Sequence, residues 1–230
     1  MTFVVFAYNF EHWKTQAGLF NLFMNGYTPD MVVLQGKKQL NFRQSEYRIT
    51  PKGEYLINPK QICKKLGFRF MVCDHDDYRN DLYYESEYGV ILGARILKQS
   101  TIEQYKGIIN VHPGILPGNR GLDNLKWSLI LGLPVGVTSH FIDEKIDMGR
   151  FIMSDTVGID KDDTIRDLYI KQRNLEQRLL IETMGKIRGG LTVEDCKPIE
   201  FSKKFAAVYV DCDYQKLIHE RTNNTAEITY

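Results

Sequence analysis

The residues best suited to chemistry lie at positions 109–121, where the chain reads INVHPGILPGNRG. Asn110 and His112 are two residues apart, and residues at that spacing on an extended strand point to the same side. The prolines and glycines that follow force a rigid, non-helical loop. The spacing therefore predicts an amide and an imidazole that face one site where a strand ends.

A second segment, at positions 140–152, adds a carboxylate. It reads HFIDEKIDMGRFI, leaves a strand through a polar turn and presents Asp147 two residues before Gly149. Asn110, His112 and Asp147 together suit acyl transfer, because the amide donates to a developing oxyanion, the imidazole moves a proton and the carboxylate orients the imidazole. Neither segment contains serine or cysteine, so we expect the nucleophile to come from the substrate.

Strands and helices alternate around these segments. Apolar runs predict strands at 2–8, 30–34, 68–73, 88–92, 107–111 and 135–142, and helical patterns begin at Trp13, Asn58, Leu122 and Thr164. This order predicts an α/β fold: a Rossmann-like, mostly parallel sheet with helices on both faces, plus a small C-terminal extension. The expected division is a catalytic domain at 1–190 and an extension at 191–230 with a strand candidate at 205–210. Positions 35–55 fit either a loop or a hairpin.

Composition narrows the class of protein. The chain has 230 residues, of which 43% are hydrophobic and 26% charged, and these ordinary values exclude a disordered chain or a coiled coil. Thirty basic and 29 acidic residues leave a net charge of +1, so a nucleic-acid partner is not expected. No apolar run is long enough to cross a membrane, and the four cysteines lack the spacing of a zinc site. We expect a cytoplasmic protein without a metal.

The two segments also resemble a known family. The string NVHPGILPGNRG, followed by His140, Asp147 and Gly149, resembles the signature of the 10-formyltetrahydrofolate-dependent formyltransferases, and ILGARILKQSTI resembles the family's folate-pocket strand and turn. The resemblance spans roughly residues 70–185. It implies N10-formyltetrahydrofolate as co-substrate and Asn110, His112 and Asp147 as catalytic residues.

The same resemblance implies which residues border the bound folate. They are Arg95, Ile96, Leu97, His140, Ile142, Asp143 and Glu144. Two of these predictions have alternatives: Arg95 could instead cap a strand end, and His140 could instead support Asp147 or be satisfied within its strand.

Three further residues are predicted to touch the acceptor. Asn119 and Arg120 lie in the loop after His112, and arginine suits bidentate phosphate recognition. Trp13 follows the first strand and could stack on a nucleotide base. The alternatives are an ordinary loop salt bridge for the first two residues and core packing for Trp13.

Departures from the family's patterns narrow the acceptor. Glycinamide ribonucleotide transformylase carries a Gly/Ser-rich phosphate loop after its first strand, where this chain reads AYNFEHWKTQAG. Methionyl-tRNA formyltransferase carries a sizeable C-terminal nucleic-acid-binding domain, which we do not expect in residues 191–230. Formyltetrahydrofolate hydrolase begins with a regulatory domain, whereas this sequence starts on the first strand. The prediction is therefore similarity to sugar N-formyltransferases.

The predicted acceptor is a nucleotide-linked amino sugar, either a dTDP-amino-dideoxyhexose or a CMP-linked nonulosonic acid. A homodimer formed through the C-terminal extension is one expectation for assembly. Three alternatives stay open: transfer to another small amine such as a ribonucleotide intermediate, a non-catalytic α/β binding module, and a dinucleotide-binding oxidoreductase. The last would need a GxGxxG after the first strand, which is missing.

Overall fold

A computed structural model describes residues 1–37, 53–145 and 147–200, together with the backbone of Ala206–Ala207. Its main sheet has eight strands in the order β3-β2-β1-β4-β5-β7-β8-β9, and a second sheet pairs β10 with β6. The strands are β1 (Phe3–Tyr8), β2 (Met31–Gln35), β3 (Phe70–Val72), β4 (Tyr88–Ile91), β5 (Gly107–His112), β6 (Arg120–Gly121), β7 (Gly136–Phe141), β8 (Arg150–Thr156), β9 (Lys197–Pro198) and β10 (Ala206–Ala207).

The helices are α1 (Trp13–Met24), α2 (Pro59–Leu66), α3 (Asn80–Tyr83), α4 (Gln99–Ile102), α5 (Asn124–Leu131) and α6 (Ile165–Arg188), with a 3-10 turn at His75–Asp77. The pairings from β3 through to β5 are parallel, and those from β5 through β7 and β8 to β9 are antiparallel. The predicted α/β fold with a mostly parallel sheet is confirmed.

Alternating side chains of the central strands build two cores. On one face, Val5 of β1 and Ile109 of β5 pack with α1, α2 and α6. On the other face, Phe6 and Ile108 pack with the 3-10 turn and with Leu97, in the segment before α4. Because the strand period is two, Asn110 and His112 share the second face with Ile108. Helices α1, α2 and α6 therefore pack on the face of the sheet opposite the Asn110 and His112 side chains.

Capping residues that the sequence predicts are found at several helix ends. Asn58 caps α2 through the Lys60 amide, with Pro59 in the first turn, and Gly67 ends the helix at φ 72°. Thr164 and Asp167 form the predicted capping box at the start of α6. Side-chain oxygens here accept the amide N–H groups that a helix end leaves without partners.

Other boundaries differ from the prediction. The helix expected from Leu122 begins at Asn124, because Asp123 adopts a left-handed conformation at φ 56°. The strand at Arg150–Thr156 was not predicted, although it pairs along the length of β7. Of the strand candidate at 205–210, Ala206–Ala207 form β10 and the remainder lies outside the described residues, as do positions 38–52.

The C-terminal segment joins the main structure at two places. Lys197–Pro198 add antiparallel to β8, and the Ile199 amide donates to the Gly149 carbonyl at 2.8 Å. Ala206–Ala207 pair with Arg120–Gly121. The division at residue 190 stays a prediction. None of the helices within the described ranges has the length and apolarity that a bilayer crossing requires.

Candidate active site

The pairing of β5 with β7 places Asn110 and His112 near a third predicted site residue, His140. Strand β5 runs antiparallel to β7, with Asn110 opposite His140 and His112 opposite Thr138. Asn110 is half-buried and His112 is 4% exposed, so the site opens at the amide rather than at the ring. Both side chains lie at the carboxyl end of β5, where open α/β sheets bind ligands.

The His112 ring is held at both nitrogens. Its Nδ1 lies 3.2 Å from Oδ1 of Asp147, and its Nε2 lies 3.0 Å from the Asn119 carbonyl oxygen. A carbonyl oxygen only accepts, so Nε2 carries a proton and donates to Asn119. Nδ1 therefore faces the carboxylate and is the position where a further proton would lie between the two groups.

Asp147 lies in a tight turn at φ 51°, with its carboxylate directed inward. Its Oδ2 accepts the Gly121 amide N–H at 2.6 Å. Burial alone would raise the pKa of Asp147, but the hydrogen bond and positive charge of His112, with the Gly121 amide, outweigh it and lower the pKa to about 2. The carboxylate is therefore ionised throughout the neutral range.

Gly149 allows the Asp147 turn to pack against the end of β7. Its φ is +98°, and a Cβ at this position would lie 2.1 Å from the Phe141 carbonyl oxygen. Every other residue type would move the turn away from the sheet. This close approach keeps Asp147 within reach of His112.

His140 is fully buried behind Asn110. Burial, reinforced by the positive charge of His112, lowers the pKa of His140 to about 4, so the ring is neutral at pH 7. Its Nδ1 donates to the Met148 carbonyl at 2.8 Å, which leaves Nε2 to accept from the Asn110 amide nitrogen at 3.3 Å. One Asn110 N–H is thereby fixed and the other is free to donate to a ligand.

This arrangement differs from the predicted contact of His140 with the cofactor. Both ring nitrogens bond to protein and the side chain has no exposed surface, so in this structure His140 orients Asn110. Asn119 differs in the same way. Its side-chain nitrogen donates to the Asn124 carbonyl and to the Ser128 hydroxyl, both at 2.8 Å, and it touches the site through its own carbonyl.

The predicted folate residues from 95 to 97 follow β4. Arg95 is half-buried, Leu97 is buried and Ile96 is 67% exposed. Ile96 thus presents a large apolar side chain that a ligand could cover.

The remaining predicted folate residues follow β7. Half-buried Ile142 packs against the same cluster as Leu97, while Asp143 and Glu144 are exposed. The structure thus brings the two predicted folate segments together on the face of the sheet that carries Asn110. Their contact with a folate stays a prediction.

The other two predicted acceptor residues have protein neighbours. Arg120 is buried in β6, next to the Gly121 amide that holds Asp147. The Trp13 ring lies 3.8 Å below the Arg173 guanidinium carbon. Arg173 pairs with Glu54 at 2.8 Å.

The sequence did not predict a cluster of polar side chains between β5 and helices α1 and α6. Lys14 pairs with Glu176 at 2.7 Å and also bonds the Val111 carbonyl, and Gln172 bonds the Pro113 carbonyl. The available signal was in α6, where Gln172 and Glu176 interrupt the apolar face of the helix at a spacing of four residues.

Within the described part of the chain, no group of three or more His, Cys, Asp or Glu side chains could hold a metal ion.

The Thr138 hydroxyl, opposite His112, makes both of its hydrogen bonds to the loop that follows β5. It donates to the Gly114 carbonyl at 2.7 Å and accepts from the Leu116 amide at 3.1 Å. The geometry therefore offers an amide donor and a histidine–carboxylate pair to an incoming nucleophile.

Comparison with known proteins identifies relatives of this chain. Residues 64–184 match the family model for formyl transferases. The chain is 28% identical over 181 residues to a methionyl-tRNA formyltransferase from Caldanaerobacter subterraneus, covering 76% of this chain and 56% of that protein. It is 38% identical over 82 residues to a dTDP-4-amino-4,6-dideoxyglucose formyltransferase from Mycobacterium bovis, covering 36% of this chain and 35% of that protein. The chain thus spans about half the length of these curated relatives, or less.

Solved structures share the fold. An N-formyltransferase from Helicobacter canadensis, in complex with folinic acid and dTDP-3-aminofucose, superposes with a TM-score of 0.60 at 19% identity, over 92% of this chain and 71% of that one. A phosphoribosylglycinamide formyltransferase from Anaplasma phagocytophilum gives a TM-score of 0.63 at 16% identity, over 92% of this chain and all of that one.

Proposed function

This chain belongs to the formyl transferase family, and from that membership we propose that it moves the formyl group of N10-formyltetrahydrofolate to the primary amine of a nucleotide-linked amino sugar. The observation that carries the transfer chemistry is the His112–Asp147 pair, 3.2 Å apart, on the same strand end as a half-buried Asn110 amide.

The three side chains divide the chemistry as follows. The amine attacks the formyl carbon and an oxyanion develops, to which the free N–H of Asn110 donates. One such donor is worth about 2.7–4 kcal/mol of barrier. The intermediate collapses as the bond between the formyl carbon and N10 breaks, N10 takes up a proton, and tetrahydrofolate leaves. The ionised Asp147, held beside Nδ1 of His112, accepts the amine proton, and the pair returns a proton to N10. Acid–base help of this kind adds roughly 10²–10⁴-fold.

The folate is best accommodated between the two segments that follow β4 and β7. Leu97 and Ile142 supply an apolar wall there, and Ile96 leaves two thirds of its surface exposed. When bound, N10-formyltetrahydrofolate supplies the activated one-carbon group. These residues would orient the pterin so that the formyl carbon reaches Asn110.

The stretch that begins at the end of β1 supports an amino-sugar acceptor over a small ribonucleotide, because it reads AYNFEHWKTQAG in place of the Gly/Ser-rich phosphate loop of glycinamide ribonucleotide transformylase. Lys14 lies within this stretch and Arg173 packs on its Trp13, and these two cations are paired with Glu176 and Glu54.

A second candidate acceptor is methionyl-tRNA. It is favoured by the 28% identity to a methionyl-tRNA formyltransferase over three quarters of this chain. The net charge of +1 argues against it, since binding of RNA draws most of its affinity from phosphate neutralisation.

One screen tests both acceptors. Purified protein is incubated with N10-formyltetrahydrofolate and, in separate reactions, dTDP-, UDP- and CMP-linked amino sugars, glycinamide ribonucleotide and methionyl-tRNA. We expect tetrahydrofolate release and a mass gain of one formyl unit with an amino sugar. Formylation of methionyl-tRNA alone would overturn the proposed acceptor. A failure to release tetrahydrofolate with every acceptor of the panel would overturn the proposed formyl transfer.

A further inference from the structure

The backbone on either side of His112 is held by side chains from two helices behind the sheet. Lys14 of α1 donates from Nζ to the Val111 carbonyl at 2.6 Å. Gln172 of α6 donates from Nε2 to the Pro113 carbonyl at 3.0 Å. The peptide groups that flank His112 are therefore fixed by long-range contacts, across 97 and 59 positions of sequence.

Strand pairing explains why these donors are needed. The pairing of β4 with β5 ends at Ile91 and Asn110, so the parallel ladder stops one residue before Val111. A carbonyl beyond the last ladder pair needs another donor, since a buried polar group without one costs about 1–3 kcal/mol. The Lys14 ammonium fills that place.

The donors are themselves fixed. The Lys14 ammonium pairs with Glu176 at 2.7 Å, and the Glu176 side chain is 7% exposed. Gln172 and Glu176 are one turn apart on α6, so both face the sheet. Gln172 also donates to the Gly136 carbonyl at 2.9 Å, which ties the end of β5 to the start of β7.

We propose that Lys14, Gln172 and Glu176 form a carbonyl clamp whose function is to position His112 for formyl transfer. The clamp acts from the face of the sheet opposite the His112 side chain, because Ile109 and Val111 point toward α1 and α6. These three act on His112 through the backbone and are therefore positioning residues. The inference rests on the proposed function for its kinetic consequence, but the placement of the His112 ring is observable without turnover.

The kinetic test compares Lys14→Met, which removes the donor and the charge, with Lys14→Arg, which keeps both. We expect Lys14→Met to lower kcat about 10–100-fold, the loss that a misplacement of about 1 Å produces. The KM values for both substrates should stay within about twofold, and Lys14→Arg should recover most of the lost kcat. Gln172→Met removes the second donor and should lower kcat in the same way.

The matched control is Arg178→Met, which breaks an exposed ion pair on the same helix, with Asp155 and Glu182. It should leave kcat unchanged. A readout independent of turnover is the ¹H–¹⁵N correlation spectrum of the imidazoles. The His112 ring signals should shift in Lys14→Met and Gln172→Met, and stay in place in Arg178→Met.

Folded Lys14→Met and Gln172→Met proteins with wild-type kcat and unmoved His112 signals would overturn the clamp. If Lys14→Met does not fold, Gln172→Met decides alone. If the wild-type protein formylates none of the acceptors, the proposed function fails, and the ring signals alone still decide whether the clamp sets the position of His112.

Discussion

The orientation of the Asn110 amide depends on the protonation state of His140. A neutral His140 that donates to Met148 has one acceptor nitrogen, and it takes one Asn110 N–H. A charged ring would present N–H groups on both sides and would repel that N–H. The pKa of His140 is low, about 4, so the ring stays neutral at mildly acidic pH. The Asn110 amide therefore keeps the same orientation over this pH range.

This buried histidine makes stability depend on pH in a definite direction. Between pH 6.5 and about 4 the unfolded chain binds a proton at His140 and the folded chain does not, so stability falls as the pH falls through this window. We expect His140→Gln to reduce the slope of unfolding free energy against pH there by up to about 1.4 kcal/mol per pH unit. Chemical denaturation at several pH values measures the slope.

His12 has a pKa lowered to about 4 as well, by burial and by the charges of Lys14 and Arg173. It remains in the His140→Gln protein, so part of the acid sensitivity should persist. A slope equal to that of the wild-type protein would show that His140 is not neutral in the folded state.

Asp147→Asn tests the role of the carboxylate with little change in shape. The amide cannot compensate a proton on His112 Nδ1, and we expect kcat to fall by about 10²–10⁴-fold, as when an acid–base group is lost. Circular dichroism should be unchanged at neutral pH. A variant with kcat within threefold of wild type would remove Asp147 from the mechanism.

The pKa of Asp147 predicts where this carboxylate stops stabilising the fold. Because the pKa is depressed to about 2 from 3.8, its contribution is complete above about pH 4 and is lost as the pH falls toward 2. The stability gap between wild type and Asp147→Asn should close across that window, which is separate from the His140 window.

Sequence spacing identified the side chains that meet in the site but not the groups that hold them. Asn110 and His112 share a strand, and Asp147 follows the neighbouring one, so short-range patterns sufficed. Lys14 and Glu176 lie far from these motifs in the chain, and only the packing of α1 and α6 brings them to Val111. The spacing of Gln172 and Glu176 on α6 marks polar residues on a buried face, but it does not show that they meet Lys14 and the end of β5.

At the scale of elements, the turn between β7 and β8 positions Asp147. Gly149→Ala would place a Cβ 2.1 Å from the Phe141 carbonyl oxygen at a φ of +98°. We expect a loss of several kcal/mol of stability or a displaced turn with activity reduced at least as much as in Asp147→Asn. Thermal unfolding and the formyl-transfer assay measure the two outcomes.

Gly158→Ala is the control for that substitution. Its φ lies outside the left-handed region and nothing stands within 4 Å of the added Cβ, so stability and activity should both stay at wild-type levels. If Gly149→Ala behaved like Gly158→Ala, the close packing of the turn on β7 would be wrong.

Element boundaries were predictable where a side chain caps a backbone group. Asn58 and Thr164 each start a helix at the expected place. The strand Arg150–Thr156 escaped prediction because its residues are mostly half-buried or exposed, and it follows directly from the turn that carries Asp147. Its pairing with β7 depends on tertiary structure, and the alternating pattern of its residues alone did not predict it.

At the scale of the whole molecule, the C-terminal segment closes around the Asp147 turn. Ile199 donates to the Gly149 carbonyl and packs with Met148 and Leu116, and Ala206–Ala207 pair with the strand whose Gly121 amide holds Asp147. The sequence predicted an appended extension at 191–230. It could not show these two attachments, because pairing between distant short strands leaves no periodic signal.

Asn110, His112 and Asp147 are proposed to carry formyl transfer together in one site. The most direct measurement is the single-turnover rate of tetrahydrofolate release from N10-formyltetrahydrofolate, with an amine acceptor found in the screen, for wild type and for Asn110→Ala, His112→Ala and Asp147→Ala. We predict losses of at least about 10²-fold in each folded variant. Near wild-type release by folded His112→Ala would show that this site does not carry the transfer.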